Sequence, residues 1–168
     1  MRAILAAALI SLMPAAALAA DDALLAKLVG EWTGRGMIVV KPGSDPERVF
    51  CKLTNTLKDD GKTLDQKGRC SLASSSGRID GEIRADGGGK YSGTLASLAS
   101  RGPASLAGTG NASRLDLNAS FIDTLTGQPD TSVNTIEVLP GGYRLSTVRK
   151  DPRTGASYAS STITFSAD

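Results

Sequence analysis

Two cysteines, Cys51 and Cys70, carry the clearest chemical signal in this 168-residue chain, because they are its only cysteines. They lie at equal distances on either side of Asp60-Gly61, a dipeptide that strongly favours a two-residue hairpin turn. Counted from the pair that closes such a turn, Cys51 faces Cys70 at a hydrogen-bonded position, with Cα atoms expected about 5.5 Å apart. We therefore predict a cross-strand disulfide, and with it an oxidising compartment.

Several kinds of catalytic chemistry are excluded by what the sequence lacks. The chain has no histidine, so a histidine-containing triad and histidine-bound haem or zinc are excluded. Gly61-Lys62-Thr63 resembles the end of a phosphate loop but lacks the upstream glycine, which favours a plain turn. Asp123, Asp130 and Asp151 could bind Ca²⁺, but without the repeated ligand spacing we expect solvated turn residues. We expect no enzyme activity, cofactor or metal.

The first 19 residues have the features of a cleaved signal peptide. Arg2 precedes an apolar run, and Ala17-Leu18-Ala19 fits the small-x-small pattern of signal peptidase sites. A membrane anchor is the alternative, but Pro14 interrupts the run and leaves it short for a bilayer span. The alanine-rich leader is typical of bacterial export, so we predict a mature protein that begins at Ala20 and is periplasmic or secreted.

Charge and composition favour a folded domain without a nucleic-acid surface. Removal of residues 1–19 leaves 18 basic against 17 acidic residues, and the basic ones are not clustered. Aromatic residues make up only 4% of the chain, a composition that also suits disorder. The regular alternation of apolar and polar residues argues against disorder. No later stretch is apolar enough for a membrane span.

The alternation predicts an all-β fold. A short helix is expected from Asp22 to Leu28, stopped by Gly30. Strands separated by turn signals follow at short intervals, from a first strand at Gly30–Val40 to a last at Ser157–Ser166. We predict an antiparallel up-and-down β-barrel of about 8–10 strands with a short N-terminal helix, formed by residues 20–168 as a single domain. A two-sheet sandwich is the alternative.

The predicted inner face contains amides that need partners. Asn55 opposes Gln66 in the register of the disulfide, and Asn134 opposes Thr147 in a hairpin around Pro140-Gly141, a dipeptide that suits a type II turn. Such amides bond to each other or to buried water, or they orient a ligand. Many inward positions are glycine, which either leaves a cavity or permits sharp coiling of the strands.

The short helix followed by Gly30-Glu31-Trp32 and a meander of strands resembles the start of the calycin group, which includes lipocalins and fatty-acid-binding proteins. The resemblance implies a tryptophan that caps the closed end of the barrel and an interior that holds a small apolar ligand. The chain also resembles the bacterial alkaline-proteinase inhibitors, exported barrels with a similar tryptophan and one disulfide.

We therefore predict an exported, non-enzymatic calycin-like barrel that binds a small apolar or amphipathic ligand. A protease inhibitor and a structural component of the cell envelope are the alternatives. We expect no nucleic-acid partner, and the sequence leaves any protein partner open. The candidate ligand-binding residues are Trp32, Asn55, Gln66, Tyr91, Phe121, Asn134 and Tyr143.

Overall fold

A computed structural model of the protein describes residues 22–58 and 61–167, so the predicted signal peptide and Asp60 of the predicted turn lie outside it. A short helix, α1 (Leu25–Leu28), comes first, and Asp22 Oδ1 accepts hydrogen bonds from the amides of Leu24 and Leu25 at its start. The strands are β1 (Gly30–Ile38), β2 (Glu47–Leu57), β3 (Thr63–Ser71), β4 (Ser76–Gly87), β5 (Lys90–Ala96), β6 (Ala104–Gly110), β7 (Arg114–Ile122), β8 (Pro129–Leu139), β9 (Gly142–Lys150) and β10 (Ser157–Ala167).

The ten strands of the described chain form one closed antiparallel barrel. Each strand pairs with the next along the chain, and β1 also pairs with β10, so every strand has two partners. Short connections make sequential strands antiparallel neighbours, and closure removes the exposed edges that an open sheet would have. The predicted up-and-down barrel is confirmed, and the sandwich alternative is wrong.

Strand β2 shows how the sequence alternation separates the inside of the barrel from the outside. Its buried residues and its exposed residues follow one another with the period of two that a strand imposes. The buried set is Val49, Cys51, Leu53 and Asn55, and the exposed set is Arg48, Phe50, Lys52, Thr54 and Thr56.

The disulfide between Cys51 and Cys70 is present, and it joins β2 to β3 in the predicted register. The type of pair was predicted wrongly, since the two Cα atoms lie 4.1 Å apart, close to the spacing of a non-hydrogen-bonded pair. The reason is the turn: the Lys58 amide donates to the Thr63 carbonyl, so four residues rather than two separate the closing pair. That change exchanges hydrogen-bonded and non-hydrogen-bonded positions along the whole hairpin.

The later hairpin between β8 and β9 was predicted correctly. Leu139 faces Gly142 next to the turn, and Asn134 faces Thr147 five positions further along. Gly141 has φ of +76°, the left-handed conformation that the third position of a type II turn requires.

The inward glycines serve close coiling of the strands. A Cβ atom placed on Gly36, Gly68, Gly81, Gly93 or Gly108 would come within 3.0 Å of a main-chain oxygen of a neighbouring strand. Glycine is required there because adjacent strands approach too closely for a side chain.

Candidate functional site

A cavity of about 430 Å³ lies inside the barrel and opens at the end opposite α1. Its walls are mostly apolar side chains from the inner faces of the strands, among them Leu53, Ile83, Leu106, Ile136 and Leu145. Connections at the open end, including Val40, Leu98 and Leu125, contribute to the lining. The disulfide forms part of the wall.

Helix α1 closes the other end of the barrel. The side chains of Leu24, Leu25 and Leu28 are at most 2% exposed. The Leu28 carbonyl accepts two hydrogen bonds of 2.9 Å, from Trp32 Nε1 and from Asn55 Nδ2. One carbonyl at the end of the helix is thus bound by two strands, which fixes the helix across the barrel.

Tyr143 lies between helix α1 and the cavity. Its ring stacks on Phe165, with ring centres 4.5 Å apart, and meets Trp32 edge to face at 5.2 Å. The hydroxyl is buried and has no hydrogen bond of acceptable geometry among the described residues. Burial raises the pKa of this hydroxyl, and the nearby Asn55 side chain opposes the rise only in part. The phenol is therefore un-ionised at neutral pH.

Amides and hydroxyls occupy two places on the inner walls. Gln66 Nε2 donates to Asn55 Oδ1 over 3.1 Å, and Thr147 Oγ1 donates to Asn134 Oδ1 over 3.0 Å. Gln66, Asn134 and Thr147 line the cavity, whereas Asn55 is 1% exposed and lies below it. The opposed polar residues bond to each other and still present polar atoms to the interior.

An ion cluster stands at the open end. Arg149 Nη2 donates to Asp123 Oδ2 over 2.7 Å and also to Asp130 Oδ2. The side chains of Arg149 and Asp123 are 13% and 5% exposed. Burial alone would raise the pKa of Asp123, but the Thr126 amide and the Arg149 guanidinium outweigh it and hold this pKa below its usual value. The cluster ties the β7–β8 connection to β9.

The predicted ligand-binding residues divide between three places. Gln66, Asn134 and Tyr143 line the cavity. Trp32, Asn55 and Tyr91 lie at the closed end, where the Tyr91 hydroxyl donates to the Asp22 carboxylate over 3.1 Å. Phe121 lies near the mouth with the Arg149 guanidinium 5.4 Å from its ring centre. The first three are the ones that the structure brings to a common space.

Arg149 and Asp123 are the residues of the site that sequence reasoning missed. The aspartates were expected to be solvated, yet Asp123 is buried and Asp130 binds the same guanidinium. The sequence carried a signal for this cluster. Alternate residues of β9, counted from Tyr143, point into the barrel, and Arg149 is one of them. A cation at an inward position needs a buried partner.

The described residues contain no group of three or more histidine, cysteine or acidic side chains arranged for a metal ion. No helix within residues 22–58 and 61–167 is both long and apolar enough to cross a bilayer. No family model matches the chain, and no curated protein matches it. The barrel agrees with the calycin resemblance at the level of coarse architecture alone.

Proposed function

We propose that the protein is a non-enzymatic container that binds a small apolar or amphipathic molecule inside its barrel. The observation that carries this proposal is the cavity of about 430 Å³ with mostly apolar walls. That volume falls within the range of about 300–1,000 Å³ typical of small-molecule sites. At about 30 Å³ per molecule of liquid water, it has room for more than ten waters.

The physical reason for binding is the contrast between this space and water. Water against apolar walls makes few hydrogen bonds, so its replacement by an apolar molecule is favourable. The cavity opens at one end while α1 and Trp32 fill the other, which gives a ligand one route in. The alternatives from the sequence, a protease inhibitor and an envelope component, make no use of an interior of this size.

Export completes the proposal. The disulfide is consistent with an extracytoplasmic protein, since such bonds persist in oxidising compartments. Residues 1–19 are proposed to be the cleaved signal peptide, which places the mature protein in the periplasm or outside the cell.

The test uses N-phenyl-1-naphthylamine, an uncharged probe whose emission rises in apolar surroundings. The mature protein is expected to bind it with saturable stoichiometry near one to one. Leu145→Trp enlarges a side chain that lines the cavity and should weaken binding, because the larger ring occupies part of the interior. Val148→Trp is the matched control on the same strand, where the side chain is 41% exposed on the outer face, and it should bind as the native protein does.

Circular dichroism and urea unfolding of both variants establish that they fold. Absence of saturable probe binding to the native protein would rule out the container. Equal binding by folded Leu145→Trp would place the probe outside the barrel and would contradict the proposal as well.

A further inference from the structure

The charged side chains that reach the cavity are few in the described chain. Among the lining residues only Glu82, Asp123 and Arg149 carry a formal charge at neutral pH. Glu82 alternates with inward Gly81 and Ile83, so its carboxylate points outward, where Lys58 Nζ binds it at 2.6 Å. The formal charge at the cavity therefore comes from the cluster at the mouth.

That cluster already contains more negative than positive charge. One guanidinium, Arg149, serves the two carboxylates of Asp123 and Asp130, which leaves a formal charge of one negative unit. An incoming carboxylate would leave water, enter apolar surroundings and meet two carboxylates at Arg149, the one cation among the lining residues. Desolvation and like-charge repulsion both oppose that step.

The remaining polar groups on the walls are neutral. Gln66 Nε2 donates a hydrogen bond to Asn55, and Gln66 Oε1 has no hydrogen bond to the described residues. Asn134 accepts from Thr147 and donates to Ser132, which leaves one amide hydrogen available. Gln66 on β3 and Asn134 on β8 lie on opposite sides of the ten-strand ring. An amide can bond to a hydroxyl or carbonyl without burying a net charge.

We propose that the cavity selects uncharged amphiphiles, molecules with an apolar chain and a neutral hydrogen-bonding group, over carboxylates of the same chain length. This inference rests on the proposed function, because it names the class of ligand for the same cavity. Selection arises from the shared Arg149 at the mouth and from the neutral amides of Gln66 and Asn134 inside.

The test compares two ligands with the same ten-carbon chain, namely decanol and decanoate. Displacement of N-phenyl-1-naphthylamine from the mature protein by each ligand is measured near neutral pH, where the acid is charged. Decanol is expected to bind at least about tenfold more tightly than decanoate. At about pH 4 decanoic acid is largely neutral, and its affinity should approach that of decanol.

Decanoate binding as tightly as decanol near neutral pH would overturn the inference while the container proposal stands. Binding of the probe with no displacement by decanol would overturn it too. Failure of the native protein to bind the probe at all is the distinct result that removes the proposed function.

Variants test the amide itself. Asn134→Leu should weaken decanol binding about two- to tenfold, the usual range for one hydrogen bond, and should affect decanol binding more than probe binding. Asn118→Leu makes the same substitution at an exposed position on β7 and should change neither decanol binding nor probe binding. If Asn134→Leu does not fold, Gln66→Leu removes the other amide that lines the cavity and gives the comparison, with the same exposed control. Full retention of decanol affinity in the folded inward variant would overturn the role given to the amide.

Discussion

Reduction of the Cys51–Cys70 disulfide should lower the free energy of unfolding by about 3 kcal/mol at 25 °C. The two residues are 19 positions apart, and on the chain-entropy model a loop of this size restricts the unfolded chain by about that amount. The native strands stay paired through the β2–β3 register on both sides of the bond, so the effect falls mainly on the unfolded state. A difference of 3 kcal/mol changes the unfolding equilibrium roughly a hundredfold.

Urea unfolding of the oxidised and reduced protein, followed by far-ultraviolet circular dichroism, measures this difference. The reduced chain should keep the same native spectrum and unfold at lower urea. Its slope against urea should be somewhat larger, because an unfolded chain without the cross-link exposes more surface. A Cys51→Ala, Cys70→Ala double variant is the control, since reductant should leave its unfolding curve unchanged.

Two results would refute the reasoning. A loss below about 1 kcal/mol would mean that the unfolded hairpin is already restricted without the bond. Loss of the native spectrum on reduction would mean that the bond holds the barrel together directly, which the continuous strand pairing does not require.

Three further outcomes are expected. The chain has three tyrosines, Tyr91, Tyr143 and Tyr158, and burial raises the pKa of each, that of Tyr91 to about 12. The absorbance of tyrosinate should therefore stay low through pH 10. The stability contributed by Tyr91 is present below pH 10 and should be lost as the pH rises through about 12. The pKa of Asp123 is lower in the folded protein than its unfolded value of 3.8, so the stability that this carboxylate contributes is present above that value and is lost as the pH falls further. In Asp123→Asn, the free energy of unfolding measured with urea should therefore fall less steeply between about pH 5 and pH 2 than in the native protein. Gly108→Ala should destabilise the barrel by about 1–3 kcal/mol in thermal unfolding, because the added methyl group meets a main-chain oxygen of β7. An unchanged melting temperature would show that the strands can move apart there.

The fold could be predicted closely because the information that sets it is local. A period of two assigns each side chain to a face, and turn residues fix where the chain reverses, so the register of Cys51 with Cys70 followed from counting. The length of the loop did not follow, since the closing pair Lys58 and Thr63 depends on which turn the residues between them adopt. The observed loop is two residues longer than the predicted one. The same residues therefore still face each other, but hydrogen-bonded pairs and non-hydrogen-bonded pairs are exchanged.

The interior was harder to predict because it depends on how the whole sheet closes. Inward glycines were compatible with empty space or with close coiling, and only the approach of neighbouring main chains at positions such as Gly68 decides for coiling. The Arg149 cluster was missed for a related reason. Its carboxylates come from the β7–β8 connection and the start of β8, and only barrel closure brings them to the inward end of β9.

The two ends of the barrel are held by different kinds of interaction, and this difference bears on access to the cavity. At the closed end, burial of the three leucines around α1 is worth about 2 kcal/mol for each side chain, in addition to the two hydrogen bonds on the Leu28 carbonyl. At the open end, the β5–β6 and β7–β8 connections are joined by main-chain hydrogen bonds such as Thr124 to Ala99, and Leu125 is 60% exposed. Segments with few buried apolar contacts open at the lowest free energy. Access to the cavity is therefore least costly past the connections near Arg149, and the helix end can stay closed.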